Sequence, residues 1–577
     1  MRSVPYSAGL LLLPVALAAQ GPGAPAAPTP VVPAPAPTLP RTRVSKPTRA
    51  DITAEDLMSR LYVFADDSMQ GREAGTAGNV KGTDYIAREV KRLKLLPMGE
   101  NGTYFQTLPF KTRSVDSGSV LSVAGTPVAY GTEWAGRSTA PFTKADLGVV
   151  FGGSLGDSTV SLTEEQVSGK LVIYLAPERA SNRALRGAGR SVPSAAAIGV
   201  IAPDAILGFY RRPATFVDDP SNPPASGGAR PTLLVTRAGA ARLFDAPLDQ
   251  LTAGAAGTPV TLDLKVVVAP VPFAARNVVA LLPGRDPALK GQYVAIGAHN
   301  DHVGMTGVPV DHDSMRIFLH EVRPGGAEDG AKQATPEQQA KVNADLAAWR
   351  TAHPSTARLD SISNGADDDG SGSVSVLELA EKLASMKQRP KRSILFVWHV
   401  GEEKGLLGSA WFTDHPTVPR DSIVAQLNMD MVGRGDSWDV TGASSEGGVL
   451  RGSPDYLQIV GSRRLSTELG DIIEQVNQAG KHGMVFDYAM DANGHPMNIY
   501  CRSDHYEYAR YGIPIAFFTT GGHSDYHQVT DEPMYIDYVH MARVDKLVAD
   551  IAIHVANLDH RVAVDKPKPD PKGSCRQ

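Results

Sequence analysis

From Pro270 onward the chain repeats one pattern: a short apolar run, then polar residues, then in places a stretch with helical periodicity. NVVALLP, YVAIGA, SILFVW, IVAQLNM and IPIAFFTT are apolar runs of strand length. A strand with one face in water alternates apolar and polar residues. A continuous run instead suits a strand covered on both faces, as in a mainly parallel sheet flanked by helices. SVSVLELAEKLASM supplies one such helix, with Val376, Leu377, Ala380, Leu383 and Ala384 at helical spacing. The expected fold is therefore α/β, a mainly parallel twisted sheet flanked by helices.

The chain has 577 residues, too many for a single core. Residues 266–560 carry the strand–helix pattern. Residues 125–265 read differently: LGVVFGG, KLVIYLAP, IGVIAPD and PTLLVTR are short strands between Gly, Pro and polar turns, which suggests a separate β-rich module. Upstream, residues 50–124 return to helical signals. Asp51 or Thr53 can cap AEDLMSRLYVFA, and NVKGTDYIAREVKRLKLL forms a second amphipathic run. A polar stretch over 303–364 contains the helix-like PEQQAKVNADLAAWR and is too long for an ordinary connection. It is expected to be an insertion lying over one edge of the sheet.

The N-terminal MRSVPYSAGLLLLPVALAAQ has a cationic start at Arg2, an apolar centre from Ala8 to Ala19 and a small-x-small Ala16-Leu17-Ala18. Residues 1–19 read as a signal peptide, too short to span a bilayer, so export to the periplasm or outside the cell is expected, with no stable membrane anchor. Residues 20–49 are rich in Pro and Ala and read as an extended, unpacked linker, and the tail 561–577 reads the same way. A net charge of -5 leaves no basic footprint for nucleic acid. The two cysteines, Cys501 and Cys575, exclude a disulfide scaffold and a thiolate zinc site. The sequence does not say whether they pair, nor what the oligomeric state is.

Ligands of open α/β sheets bind beyond the carboxyl ends of the strands. His299 and Asp301 follow YVAIGA; Glu402 and Glu403 follow SILFVW; Asp430 follows IVAQLNM; Tyr526 and His527 follow IPIAFFTT. Asp367, Asp368 and Asp369 precede the Val374 helix. Crowded carboxylates are costly to bury without a cation. Mixed His and carboxylate ligation without thiolate suits zinc, with cobalt or manganese as alternatives. Five ligands exceed what one tetrahedral ion needs, whereas two ions sharing one aspartate fit the count. The spare glutamate can then act as general base. A helix-dipole role for Glu402 and Glu403 would leave Asp430 and His527 unexplained. Ser503-Asp504-His505 is no serine triad, since consecutive residues rarely converge on one reacting atom and no GxSxG accompanies them. His302, His399, His505 and His523 lie near the motifs and are given no direct role. Asp368 and Asp369 read as charges on the N-terminus of the following helix.

GAHNDH, NGADDDGSG, GEEKGLLGS, NMDMVG and SDYHQVTDE occur in this order, and together they resemble the zinc aminopeptidases of the M28 (aminopeptidase Y-like) family. The resemblance covers 51–110, with REAGT and YFQTLPF, and about 270–555. The β-rich module looks like the protease-associated domain inserted in many members. The resemblance implies an exopeptidase with two Zn²⁺ per chain, acting on peptide or protein N-termini. It implies His299, Asp367 and Asp430 on one ion and Asp367, Glu403 and His527 on the other, with Asp367 bridging. Glu402 is implied as general base, Asp301 as the residue orienting His299, and Tyr526 as a stabiliser of the oxyanion. The peptide bond Asp367-Asp368 is implied to be cis. The alternatives are a carboxypeptidase or single-zinc glutaminyl cyclase on the same fold, and an inactive receptor-like binding protein.

Overall fold

The computed structural model describes residues 39–157, 159–176, 192–202, 207–221, 230–244, 246–330, 332–354 and 358–577. The expected signal peptide, 1–19, and the first part of the linker, 20–38, lie outside the described residues. At the centre is a sheet whose four middle strands run parallel, in the order Ser393–His399, Tyr293–His299, Ile423–Met429, Ile515–Thr519. The strands flanking these four are antiparallel to them: Ala275–Leu282 beside Ser393–His399, and Tyr456–Val460 beside Ile515–Thr519.

Successive side chains of these runs enter two different cores, which is why the runs carry no polar face. Val294, Ile296, Ala298, Ile394, Phe396 and Trp398 pack on one side; Ala295, Leu395 and Val397 pack on the other. Helices Ala54–Phe64, Gly372–Ala384 and Tyr538–Asn557 cover the first face. Leu407–Asp414 and His505–Ala509 cover the second. Of the two candidate caps for the first helix, Thr53 is the one used: its side chain accepts from Asp56 N.

The β-rich insert is an eight-stranded sheet with its own core, including Leu147, Leu171, Ile173, Val235 and Leu262. It joins the larger body through a neck in which Phe110–Val115 pairs antiparallel with Val266–Pro270. Its sheet includes Val120–Val123, so it begins upstream of the expected 125. That strand is short and follows the neck closely, leaving no composition break to read.

The 303–364 insertion is a two-stranded ribbon, Met305–Asp311 against Leu359–Ile362, carrying helices His312–Val322 and Pro336–Ala352. It does not cover a sheet edge. It rests on the loop that follows Ile515–Thr519: Ala327 N donates to Tyr526 O at 3.2 Å, Arg316 lies 3.9 Å over the Tyr535 ring, and Arg358 pairs with Glu532. A segment this polar docks through ionic and cation–aromatic contacts rather than through an apolar stripe.

The expectation of unpacked ends is corrected at both. In the linker, Leu39 packs on the main core, Thr48 Oγ1 donates to Glu381 at 2.6 Å, and Arg43 and Lys46 pair with Glu55. In the tail, Cys575 forms a disulfide with Cys501, Tyr500 N donates to Gln577 Oε1 at 3.0 Å, and Arg510 donates to Pro571 O. Composition gives no sign of this, because both ends are held by ion pairs, backbone hydrogen bonds and a covalent link, with little apolar burial. Among the described residues no helix is long and apolar enough to cross a membrane.

Candidate metal centre

His299 is the last residue of its strand; Glu402 and Glu403 follow Ser393–His399 directly, and Asp430 follows Ile423–Met429. Parallel pairing brings these ends to one rim, and the loop after Ile515–Thr519 adds His527. The carboxylate of Asp368 stands between the two histidines. Its Oδ1 is 3.1 Å from His299 Nε2, and its Oδ2 is 2.9 Å from His527 Nε2. Asp430 Oδ2 lies 3.7 Å from His299 Nε2, and Glu403 Oε1 lies 3.0 Å from His527 Nε2. Two groups of possible ligands result, His299 with Asp368 and Asp430, and His302 with Asp368, Glu403 and His527. His299 Nε2, His302 Nδ1 and His527 Nε2 are buried without a hydrogen-bond partner, although carboxylate oxygens stand about 3 Å away. Nitrogens close to several oxygens but aimed at none of them suit donors turned toward a shared cation.

The residue between the two histidines is Asp368, one beyond the Asp367 expected there. Asp367 points away from the histidine pair: its Oδ1 accepts from Gly433 N at 2.7 Å, and its Oδ2 lies 3.2 Å from His523 Nε2. Asp368 takes the place expected for Asp367. Asp369 accepts from Gly372 N at 2.9 Å and from His299 N at 2.9 Å, tying the helix start to the strand end. The cis peptide lies between Asp368 and Asp369, one residue beyond the expected bond. The register is fixed from outside the triplet, because the Asp531 carboxylate accepts from both Asp367 N and Asp368 N. Gly365, at φ +56°, lets the loop pass close: a Cβ there would lie 2.4 Å from the His302 ring and 2.3 Å from Asp368 O.

Asp301 differs from its expected role as well. His299 Nδ1 lies 3.1 Å from the Asp301 carbonyl oxygen and 3.8 Å from its carboxylate. The carboxylate Oδ1 instead accepts from Gly401 N at 2.7 Å and Glu402 N at 3.2 Å, so it holds the backbone that presents both glutamates. Burial pushes the Asp301 carboxyl up to about 7. The Glu402 carboxyl is also raised well above its usual value, first by burial and then by the nearby charges of Glu403 and Asp430. For Asp368, burial opposes the charge, yet His299 and His527 outweigh it and hold the group well below the carboxylate range. Tyr526 stacks on His527 with ring centroids 3.9 Å apart, and burial raises its phenol well above the ordinary value.

Residues 350–552 match peptidase family M28. A probable leucine aminopeptidase of Arthroderma benhamiae is 31% identical over 188 residues, 32% of this chain and 49% of that protein. Leucine aminopeptidase 1 of Coccidioides posadasii is 34% identical over 158 residues, 26% of this chain and 36% of that protein. The chain thus spans about half or less of the length of these relatives. Among solved structures, an aminopeptidase from Aneurinibacillus sp. strain AM-1 has 16% identity and a TM-score of 0.49, covering 90% of this chain and 97% of that one.

Three residues at this rim escaped the sequence reading. His302 is fully buried beside Glu403. Its place in the same tetrapeptide as His299 was a usable signal. Arg72 is also fully buried, donating to the carbonyls of Phe64, Asn364 and Gly365 at 2.7 to 3.0 Å, and so steadies the loop that carries Asp368. Nothing in the sequence links it to a segment almost 300 residues away. Asp531 is the third, and SDYHQVTDE contains it without marking its role.

Proposed function

We propose that this chain is an M28-type aminopeptidase, exported and metal-dependent, that releases N-terminal residues from peptides, with two zinc ions held around Asp368. The observation that carries this reading is the division of one carboxylate between two histidine-bearing groups, Oδ1 toward His299 and Oδ2 toward His527. His299, Asp368 and Asp430 hold one ion; Asp368, Glu403 and His527 hold the other. Bound divalent ions acidify a water and polarise the scissile carbonyl. Glu402 takes the proton from the attacking water as the new C–O bond forms, and delivers it to the amine as the C–N bond breaks. Tyr526, stacked on His527, would donate to the developing oxyanion. The carboxylates of the rim favour a free α-amino group.

Two further observations support parts of this reading. The Cys501–Cys575 disulfide agrees with an oxidising compartment and so with export. A carboxypeptidase needs a free cation for the substrate carboxylate, yet Arg502, whose charge reaches Tyr526 and Glu402, is paired with Glu328. The test uses an aminoacyl-nitroanilide and matched free and N-acetylated peptides. The expected result is hydrolysis of unblocked substrates only, lost on chelation and restored by zinc. Glu402→Gln should lower turnover about 100- to 10,000-fold with metal content unchanged. A metal-replete protein that cleaves no unblocked peptide overturns the proposal.

A further inference from the structure

The two groups of donors are unequal. Around His299 there are three side chains; around His527 there are four, because His302 faces the same oxygens. His302 Nδ1 lies 3.0 Å from Glu403 Oε1 and 3.7 Å from Asp368 Oδ2. His527 Nε2 lies 3.0 Å and 2.9 Å from those same two atoms. The two rings cross at 74° with centroids 5.5 Å apart, so their nitrogens converge while their planes do not stack. In a tetrahedral zinc site with bonds of about 2.0–2.1 Å, neighbouring donor atoms stand about 3.3 Å apart. The contacts of 2.9 to 3.7 Å bracket that edge. His302 is wholly buried and its Nδ1 has no hydrogen-bond partner, which is costly unless something else satisfies the nitrogen. Its backbone is fixed by a bridge to Glu73 and by His302 N donating to Arg72 O, so the ring is held where it stands.

We infer that His302 is a fourth protein ligand to the ion shared by Asp368, Glu403 and His527. This inference rests on the two-ion reading above and ranks the two ions. The four-ligand position is closed by protein and fills first. The position at His299, Asp368 and Asp430 has three protein ligands and keeps an open place, as catalytic zinc sites do. Water and substrate therefore meet the ion on the His299 side.

Titration of the metal-free full chain with Co²⁺, followed by calorimetry and by the visible absorption of the ion, tests this. The wild-type protein should take two equivalents in two steps, the first tighter and with the stronger absorption of four-coordinate cobalt. His302→Gln should still take two, with the first step weakened at least about tenfold, a loss that even the outer partners of a ligand can cause. Because His302 is buried, X-ray absorption of the wild-type protein holding one equivalent of zinc gives a second readout that needs no variant. Two imidazoles per ion support the inference, and one overturns it. A folded His302→Gln protein with both affinities and the absorption unchanged also overturns it, leaving the two-ion reading intact. A wild-type protein that takes one equivalent overturns the two-ion reading itself, and the ranking with it.

Discussion

His505 shows how one buried side chain sets a pH dependence away from the chemistry. It stacks on Phe517 with ring centroids 4.7 Å apart, and burial pushes its imidazole down from 6.5 to about 3. The unfolded chain takes up a proton near pH 6.5 that the folded chain refuses until much lower pH. This contribution is therefore fully present above pH 6.5 and is lost as pH falls toward 3, with a slope of at most about 1.4 kcal/mol per pH unit. His505→Phe should flatten that slope between about pH 6 and 4, as read by urea midpoints of both proteins. An unchanged slope would show that His505 is not buried neutral. At this scale the sequence was readable for residue type and ambiguous for register. Asp367, Asp368 and Asp369 are chemically identical, and their assignment depends on Asp531 and Gly433, which are distant in the chain. In the HNDH tetrapeptide the sequence reading singled out His299 and passed over His302, although both reach the rim.

At the scale of elements, the strands were legible because each is buried on both faces and says so at every position. Their direction was less so. Ala275–Leu282 is as apolar as its parallel neighbours and runs antiparallel, since burial fixes a run's environment and leaves its polarity open. The C-terminal tail was illegible for a different reason. Its anchor is the disulfide from Cys575 to Cys501, 74 residues apart in sequence. Cys501 sits two residues before Ser503, whose Oγ donates to Asp430 Oδ2 at 2.7 Å. The bridge thus braces the segment behind one rim carboxylate. Replacing both cysteines by serine should lower stability by about 2–4 kcal/mol, measured by urea unfolding. Equal midpoints for the two proteins would mean that the tail adds nothing to the fold.

Across the whole molecule, two large additions leave the rim undisturbed because each enters through a narrow base. The β-rich unit hangs on the paired strands of its neck. The 303–364 insertion leaves directly after His302 and returns directly before Gly365. Its ends are joined by Ser363 N donating to Gly304 O at 2.9 Å, and Gly304 N donates to Gly71 O at 3.1 Å. Its two ends thus lie side by side, while its far end reaches Tyr526 and Arg502. The proposed hydrolysis needs two ions meeting at one aspartate. Crystals of the zinc-loaded protein, measured at the zinc absorption edge, test this most directly. The expected anomalous map has two peaks flanking Asp368, one beside His299 and Asp430, the other beside Glu403 and His527. A single peak, or a pair that does not share Asp368, would contradict it.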